Sequence, residues 1–297
     1  MAGTDLMAPP GASTGLALAE PAPVRPSRVK ARIGRVVAGI LGVLLLIFIL
    51  GPLVWMGIAA FAKQWKYPSM LPQSWTLSFW SQVFSSQGLL PALGLSVRFA
   101  VLATLASCVI CLPAAYAMGR MRFPGRKVIL IGLFATNAFP KMGLFVSIAT
   151  LFYWMNLMNT QLGVVIVQAL GTVVTMTWIP AAAFASVPPS LIEAARDAGA
   201  GRLRVFFSIT FRLALPGIMV AVVLAFLACF DEAQGTYLIG APNYITLPTK
   251  MYALAVNAPI QSAAVFAIVL CIPSIILMLL VRKSVMGGQL AEGFQLK

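Results

Sequence analysis

The feature that most constrains this chain is a series of long apolar runs without charged residues. Residues 36–62 and 99–119 contain no Asp, Glu, Lys or Arg, and residues 128–192 contain only Lys141. A helix needs about 20 apolar residues to cross the hydrocarbon core of a bilayer. Each run is therefore long enough for at least one membrane-spanning helix, and the third is long enough for two.

The composition excludes an ordinary soluble domain. Hydrophobic residues make up 60% of the 297 positions and charged residues only 9%, and the mean hydropathy is +0.94. Soluble domains usually carry about 25% charged residues. So few charges cannot cover the apolar surface in water, so the sequence predicts an all-α protein whose main solvent is lipid.

Turn signals divide the apolar runs into six predicted spans. Span two begins near Pro91, which places Arg98 inside it, and Lys141 falls near the middle of span three. Asn156, Asn159, Thr160 and Gln161 form a polar break between spans three and four. Span five covers about 213–231 and span six about 259–281, and the Gly and Pro residues between them predict that residues 232–258 are mostly loop.

The distribution of basic residues predicts the orientation. With the N-terminus inside the cell, sixteen of the 21 Lys and Arg residues fall on cytoplasmic segments. Cytoplasmic segments of membrane proteins are enriched in these residues. We therefore expect both termini in the cytoplasm, and we interpret the net charge of +14 as a topological signal and not as a nucleic-acid-binding surface.

One polar segment between spans four and five has a more specific pattern. Ser190 and Glu193 have the spacing of a capping box, which predicts a helix start there. Ala194 and Ala195 give that helix small side chains that another surface can approach closely, and Gly199 permits a sharp turn after it. From these residues alone, an ordinary amphipathic cytoplasmic loop is an equally good interpretation.

The run Glu193-Ala194-Ala195, with Gly199 and Ile209 after it, resembles the EAA motif of permeases in binding-protein-dependent ABC importers. The resemblance implies the type I ABC importer permease fold, with six transmembrane helices and a cytoplasmic EAA coupling-helix loop. That loop would dock on an ATP-binding subunit. The residues expected to act in coupling are Ser190, Glu193, Ala194, Ala195, Asp197, Gly199 and Arg202. Arg212 stands where the family usually has a proline, and we expect the local geometry to deviate there.

The resemblance also suggests domain boundaries. Residues 1–32 are expected to be a disordered cytoplasmic tail, residues 33–284 the permease domain and residues 285–297 a second cytoplasmic tail. Residues 187–212 form the predicted coupling loop, called the coupling segment below. The protein is expected in the bacterial inner membrane. The expected partners are ATPase subunits, a second homologous permease and an extracytoplasmic binding protein or lipoprotein.

Two local resemblances concern the substrate. Residues 115–127 and the glycine-rich end at 287–293 are similar to the smaller permease of maltose-type importers, which implies a sugar, oligosaccharide or polyol. Phe230-Asp231-Glu232, followed by Leu247-Pro248, resembles the polyamine-type branch instead. The first interpretation is favoured, and the second stays open.

Three charges near the apolar runs are candidates for the translocation path. Asp231 and Glu232 lie where span five ends, and could instead be carboxylates in interfacial water or partners of Lys250. Lys141 could face a polar interior or pair with an acid on another subunit. A charge inside the membrane is costly and commonly marks a functional site.

The sequence contains few residues for chemistry. It has no His, seven acidic residues and no phosphate-binding G-x-x-x-x-G-K-[ST] loop. Cys108 and Cys111 form a C-x-x-C, which is better explained by small residues on a helix face than by a metal or redox site. We therefore expect no catalytic residue, no metal and no cofactor in this chain, with ATP bound by a separate subunit. A stand-alone secondary transporter is the alternative from another class.

Overall fold

The computed structural model describes residues 28–66, 68–85, 88–257 and 259–286. The long helices are α1 (Arg28–Ala59), α3 (Leu89–Arg120), α6 (Gln161–Ala185), α9 (Phe211–Phe230) and α12 (Ile260–Met286). The shorter ones are α2 (Ser78–Ser85), α4 (Arg126–Ala135), α5 (Lys141–Trp154), α7 (Pro189–Asp197), α8 (Arg202–Val205), α10 (Gln234–Gly240) and α11 (Leu247–Asn257). Strands β1 (Ala62–Gln64) and β2 (Ser74–Trp75) form a small antiparallel pair.

The chain divides into two compact units, residues 1–53 and residues 54–297. The described part of the first unit is the beginning of α1, which starts at Arg28, inside the segment predicted to be a tail. The rest of that predicted N-terminal tail, and the C-terminal tail from residue 287, lie outside the described residues. The glycine-rich end at 287–293 is therefore also outside them.

The helices account for most of the predicted spans. Four helical stretches are long and apolar enough to cross a bilayer: Val36–Ala59, Leu89–Arg120, Gln161–Ala185 and Arg202–Phe230. A fifth crossing is possible if the bent pair Arg126–Ala138 and Lys141–Trp154 counts as one span. The described side chains of α12 add an apolar helix over Ile260–Ile276. The membrane-protein fold is confirmed, and the count of six stays a prediction.

Span three is not the continuous helix that the sequence suggested. α4 and α5 meet at an angle of 104° across a short break. A 3-10 turn at Thr136–Ala138 ends α4, and Pro140 is the N-cap of α5. Because proline cannot donate a backbone hydrogen bond, it favours a helix start here over a helix interior. Lys141 is thus the exposed first residue of α5, and its predicted place inside a helix is wrong, but it lies near the middle of span three if the bent pair counts as one span.

The core of the second unit is formed by α3, α6 and α9. Small residues allow the helices to approach closely: a Cβ on Gly119 would clash with the carbonyl oxygen of Ala181, and one on Gly217 with Ala183. Close approach through small residues is a common way to pack helices in membranes. Ser107 and Thr172 share a buried hydrogen bond of 2.7 Å between α3 and α6.

Two connections between the spans can be compared with prediction. The turn before α6 forms at the predicted residues, since Asn156 and Asn159 have positive φ and the Thr160 hydroxyl accepts a hydrogen bond from the Gly163 N–H. The segment between α9 and α12 is not mostly loop, because α10 and α11 occupy much of it.

Candidate functional site: the coupling segment and the acidic end

The helix predicted in the coupling segment is α7, but its start differs from the prediction. Pro188 is the N-cap, Pro189 is the first helical residue, and no side chain caps the helix. Proline suits the first position because its φ is already helical and no partner is needed for the missing N–H. Ser190 therefore lies inside the first turn, and the predicted capping box between Ser190 and Glu193 is wrong.

The end of α7 is a sharp turn at the predicted glycine. Gly199 has a φ of +83°. Its N–H donates to the Arg196 carbonyl at 2.9 Å, and the Ala200 N–H donates to the Ala195 carbonyl at 3.0 Å. These two bonds form a Schellman motif, in which glycine is favoured because residues with a side chain rarely adopt the left-handed conformation. Gly201 has an ordinary φ of −65° and starts the next helix.

The second helix of the coupling segment is continuous with a membrane span. α8 passes through a π-helical turn at Phe206–Thr210 directly into α9. The sequence predicts that span five begins near residue 213, whereas the helix that contains it begins at Arg202. The departure from α-helical geometry ends just before Arg212, close to where a deviation was expected. A movement of the α7–α8 turn would thus act directly on a 29-residue helix.

An aromatic cluster supports the coupling segment from the core side. Tyr116 of α3 packs edge-on against Phe184 of α6 and Phe206 of the π turn, with ring centroids 5.4 and 5.0 Å apart. Arg120 donates to the Val187 carbonyl at 2.8 Å, directly before the prolines that start α7. Tyr116, Arg120 and Phe184 lie outside the predicted coupling segment, because a single sequence does not indicate which side chains of separate spans meet.

The outer face of α7 is exposed and small-sided, and it carries the acids Glu193 and Asp197 beside the base Arg196. Ser190, Glu193, Ala194 and Asp197 are exposed, whereas Ala195 is half-buried. Ile192, also half-buried, packs on the cluster that includes Phe184 and Val187. Within the described part of the chain, no hydrogen bond or ion pair engages the carboxylates of Glu193 and Asp197. Arg202 is exposed as well, at the start of α8. The arrangement leaves a charged surface free to meet another protein.

Glu232, one of the two acids after α9, is occupied by hydrogen bonds inside the chain. One carboxylate oxygen accepts from the Gly235 N–H at 2.7 Å, and the other accepts from the N–H and the hydroxyl of Thr236 at 2.7 and 2.5 Å. The Thr236 hydroxyl in turn accepts from Gln168 of α6 at 3.0 Å. Glu232 therefore satisfies the free N–H groups at the start of α10 and connects that helix to α6.

Asp231 and Lys141 have different surroundings. Asp231 is exposed and accepts one hydrogen bond, at 3.3 Å, from the Ser274 hydroxyl of α12. Within the described ranges, no ion pair joins Lys141 or Lys250 to either acid. The two acids also lie far from the coupling segment, since the 18 helical residues 213–230 between them span about 27 Å. The predicted coupling residues and the two acids thus lie toward opposite ends of the continuous helix Arg202–Phe230.

Comparison with known families decides the identity of this arrangement. Residues 111–287 match the model of the family described as binding-protein-dependent transport system inner membrane component. The chain belongs to this family. The matched region contains the whole coupling segment, α9 and both acids at its end, so the two sites lie within the family's shared region.

Individual members of the family are similar over most of this chain. The maltodextrin transport system permease protein MdxG of Bacillus subtilis is 28% identical over 224 residues, which is 74% of this chain and 81% of that protein. The trehalose/maltose transport system permease protein MalG of Thermococcus litoralis is 28% identical over 254 residues, 83% of this chain and 91% of that protein.

A solved structure has the same fold. It is a bacterial alginate ABC transporter in complex with an alginate pentasaccharide-bound periplasmic protein. Its matching chain has a TM-score of 0.62 at 16% identity, with 86% of this chain and 96% of that chain covered. The likeness establishes the type I ABC importer permease fold for this family member.

Proposed function

We propose that this chain is one transmembrane subunit of an ATP-driven importer and forms half of the translocation pathway for a sugar, an oligosaccharide or a polyol. The observation that carries the proposal is the coupling segment: an exposed acidic helix, α7, joined by the Gly199 turn to a helix that continues into the membrane. In that geometry, a movement of α7 can be transmitted to α9 without a flexible connection.

The partner at α7 is an ATPase subunit that supplies the energy. The free carboxylates of Glu193 and Asp197 and the small Ala194 suit a close contact with a groove on that subunit, with basic groups facing the acids. Arg202 extends the contact onto α8. The chain's side chains bind and transmit, and the ATP chemistry takes place on the separate subunit.

The orientation follows from the same assignment. The coupling segment faces the cytoplasm, the acidic end faces outward, and both termini are cytoplasmic in the inner membrane. The periplasmic protein bound to the alginate transporter supports a substrate-binding protein or lipoprotein as the outer partner here. A second, homologous permease completes the pathway, since one six-helix subunit supplies only one wall of it.

The substrate class rests on the relatives. The names of MdxG, MalG and the alginate transporter refer to maltodextrin, to trehalose or maltose, and to a polysaccharide. These names favour the carbohydrate interpretation over the polyamine one. Asp231 is the better candidate for the path because it is exposed, whereas the carboxylate of Glu232 is already engaged within the chain.

The deciding experiment is co-expression and reconstitution. The chain is purified with its cognate ATPase and second permease and placed in proteoliposomes. Uptake of labelled maltodextrins, trehalose and spermidine is then measured with ATP and the cognate binding protein. We expect uptake only with ATP and the complete set. Uptake by this chain alone, driven by an ion gradient, would show that it is a secondary transporter. Spermidine uptake without sugar uptake would refute the substrate class and leave the importer assignment intact.

A further inference from the structure

An open surface groove, called the basic cavity below because two arginines and a lysine line it, lies where α3 connects to α4. Its volume is about 550 Å³. Its lining residues are Arg122, Phe123, Pro124, Gly125, Arg126, Lys127 and Val128. Gly125, with a φ of +84°, turns the chain between Arg122 on one side and Arg126 and Lys127 on the other, and all three line the cavity.

The cations of this cavity have no partner in the described part of the chain. Neither a hydrogen bond nor an ion pair there engages the side chains of Arg122, Arg126 or Lys127. Neighbouring Arg120 is different, because its guanidinium is committed to the Val187 carbonyl. Three positive charges around one cavity, without a carboxylate to balance them, favour an anionic ligand.

An apolar surface leads away from the cavity along α4. Val128 lines the cavity and is 72% exposed, and Ile131 and Phe134 follow on the same helix with 66% and 59% exposure. From Val128 to Phe134 the helix rises about 9 Å. The ligand that fits both features has an anionic head and a long apolar part.

We propose that residues 122–128 bind the phosphate-bearing headgroup of an anionic phospholipid, with an acyl chain lying along Val128, Ile131 and Phe134. Clusters of Lys and Arg at the end of a membrane helix attract such headgroups. A soluble phosphate would leave the exposed strip of α4 without a partner, and so would the acidic surface of a soluble subunit. The lipid comes from the leaflet at the α7 end, since Phe123 packs on the same cluster as Ile192 of α7.

The test uses the full chain purified in nanodiscs of phosphatidylcholine that contain a small fraction of phosphatidylglycerol. Retained lipids are counted by native mass spectrometry, and affinity is titrated with a spin-labelled phosphatidylglycerol. The variant is Arg126→Gln with Lys127→Gln. Loss of two cations near a headgroup should weaken the site roughly ten- to thirtyfold and remove about one retained phosphatidylglycerol per chain.

A matched control removes the same charge elsewhere on this end of the protein. Arg204→Gln with Arg212→Gln changes two exposed cations that do not line the cavity. We expect its phosphatidylglycerol retention to equal that of the unchanged chain. Equal losses in both double variants would overturn the proposal, because they would show a general surface attraction without a site.

Further measurements distinguish a bound phospholipid from the other possible ligands. Ile131→Ser leaves every cation in place. If an acyl chain contacts Ile131, this variant should still lower the affinity for the spin-labelled lipid several-fold. If millimolar inorganic phosphate displaced the label, the site would be one for soluble anions and the proposal would be refuted. If the cation variant kept its lipid and instead lost co-purification with the ATPase, the cavity would be a protein-docking surface, which also refutes the proposal.

Discussion

Two pairs of carboxylates, one before and one after the helical stretch Arg202–Phe230, have contrasting surroundings. Glu193 and Asp197 project from an exposed helix, and no described residue bonds to them. Glu232 accepts three hydrogen bonds from the first turn of α10, and Asp231 accepts one from Ser274. The same residue types are thus free of internal bonds at one end and hydrogen-bonded within the chain at the other.

The contrast shows why an acidic pair in a sequence does not by itself indicate a binding site. A carboxylate that already satisfies backbone N–H groups would have to break those bonds to bind a substrate. A carboxylate without internal bonds can be engaged by another molecule at no such cost. We therefore expect substitutions of Glu193 and Asp197 to affect function, and substitutions of Glu232 to affect stability.

The largest expected effect comes from Glu193→Lys. Reversing an exposed charge in a contact with a basic groove places like charges together, so stimulation of the ATPase and transport should both fall by more than tenfold. Because Glu193 makes no bond within the described chain, thermal stability and membrane insertion should stay unchanged. Transport and ATPase stimulation are measured in proteoliposomes as substrate uptake and ATP hydrolysis.

Glu193→Gln is the matched control for this reversal. It keeps the shape and removes only the charge, so we expect a smaller loss than for Glu193→Lys. ATPase stimulation at the level of the unchanged protein in the Lys variant would contradict the docking role of α7.

Glu232→Ala should act on stability instead. It leaves the buried N–H groups of Gly235 and Thr236 without acceptors, and we expect a loss of about 3 kcal/mol in the free energy of unfolding. Glu232→Gln retains one carbonyl acceptor and should lose about half as much. Thermal unfolding in detergent gives the comparison. Lost sugar transport with unchanged stability would show that Glu232 belongs to the path.

Gly199→Ala tests the turn that ends α7. The left-handed φ costs a residue with a side chain about 1–2 kcal/mol, and no neighbouring atom lies within 4 Å of the added Cβ, so the cost is conformational. Hydrogen exchange of the Ala200 amide should accelerate roughly five- to thirtyfold. Gly201→Ala is the control, because its φ is ordinary and its surroundings are equally open. Equal exchange in both variants would rule out the strained turn.

The sequence predicted the features that depend on local chemistry. Long apolar runs identified most of the spans, and Asn156, Asn159 and Gly199 identified turns because few residues tolerate positive φ. Family resemblance placed the coupling segment in the connection before α9, where the structure has α7 and α8 joined by a turn at Gly199.

The features that the sequence did not predict depend on competition between helix-start signals, or on contacts between residues that are far apart in the chain. The capping box failed because Pro188 and Pro189 set the helix start before Ser190 could. The uniform apolarity of span three gave no sign of the bend at Pro140, so Lys141 was expected inside a helix and not at the start of one. The cap by Glu232 could have been found from its spacing to Thr236, but the bond from Gln168 joins residues 68 positions apart and leaves no local signal.

The smallest expected effect on stability belongs to Asp231→Asn, and it tests the remaining candidate for the path. The amide can still accept from Ser274, and the residue is exposed, so the free energy of unfolding should change by less than about 0.5 kcal/mol. If Asp231 bonds a sugar hydroxyl, replacing a charged acceptor by a neutral one should raise the transport KM roughly fivefold, which corresponds to about 1 kcal/mol. Ser274→Ala serves as the control, since it removes the internal bond and leaves the carboxylate. An unchanged KM in Asp231→Asn would mean that neither described acid at this end binds the substrate. Within the described residues, α7 would then carry the only acids that contact another molecule.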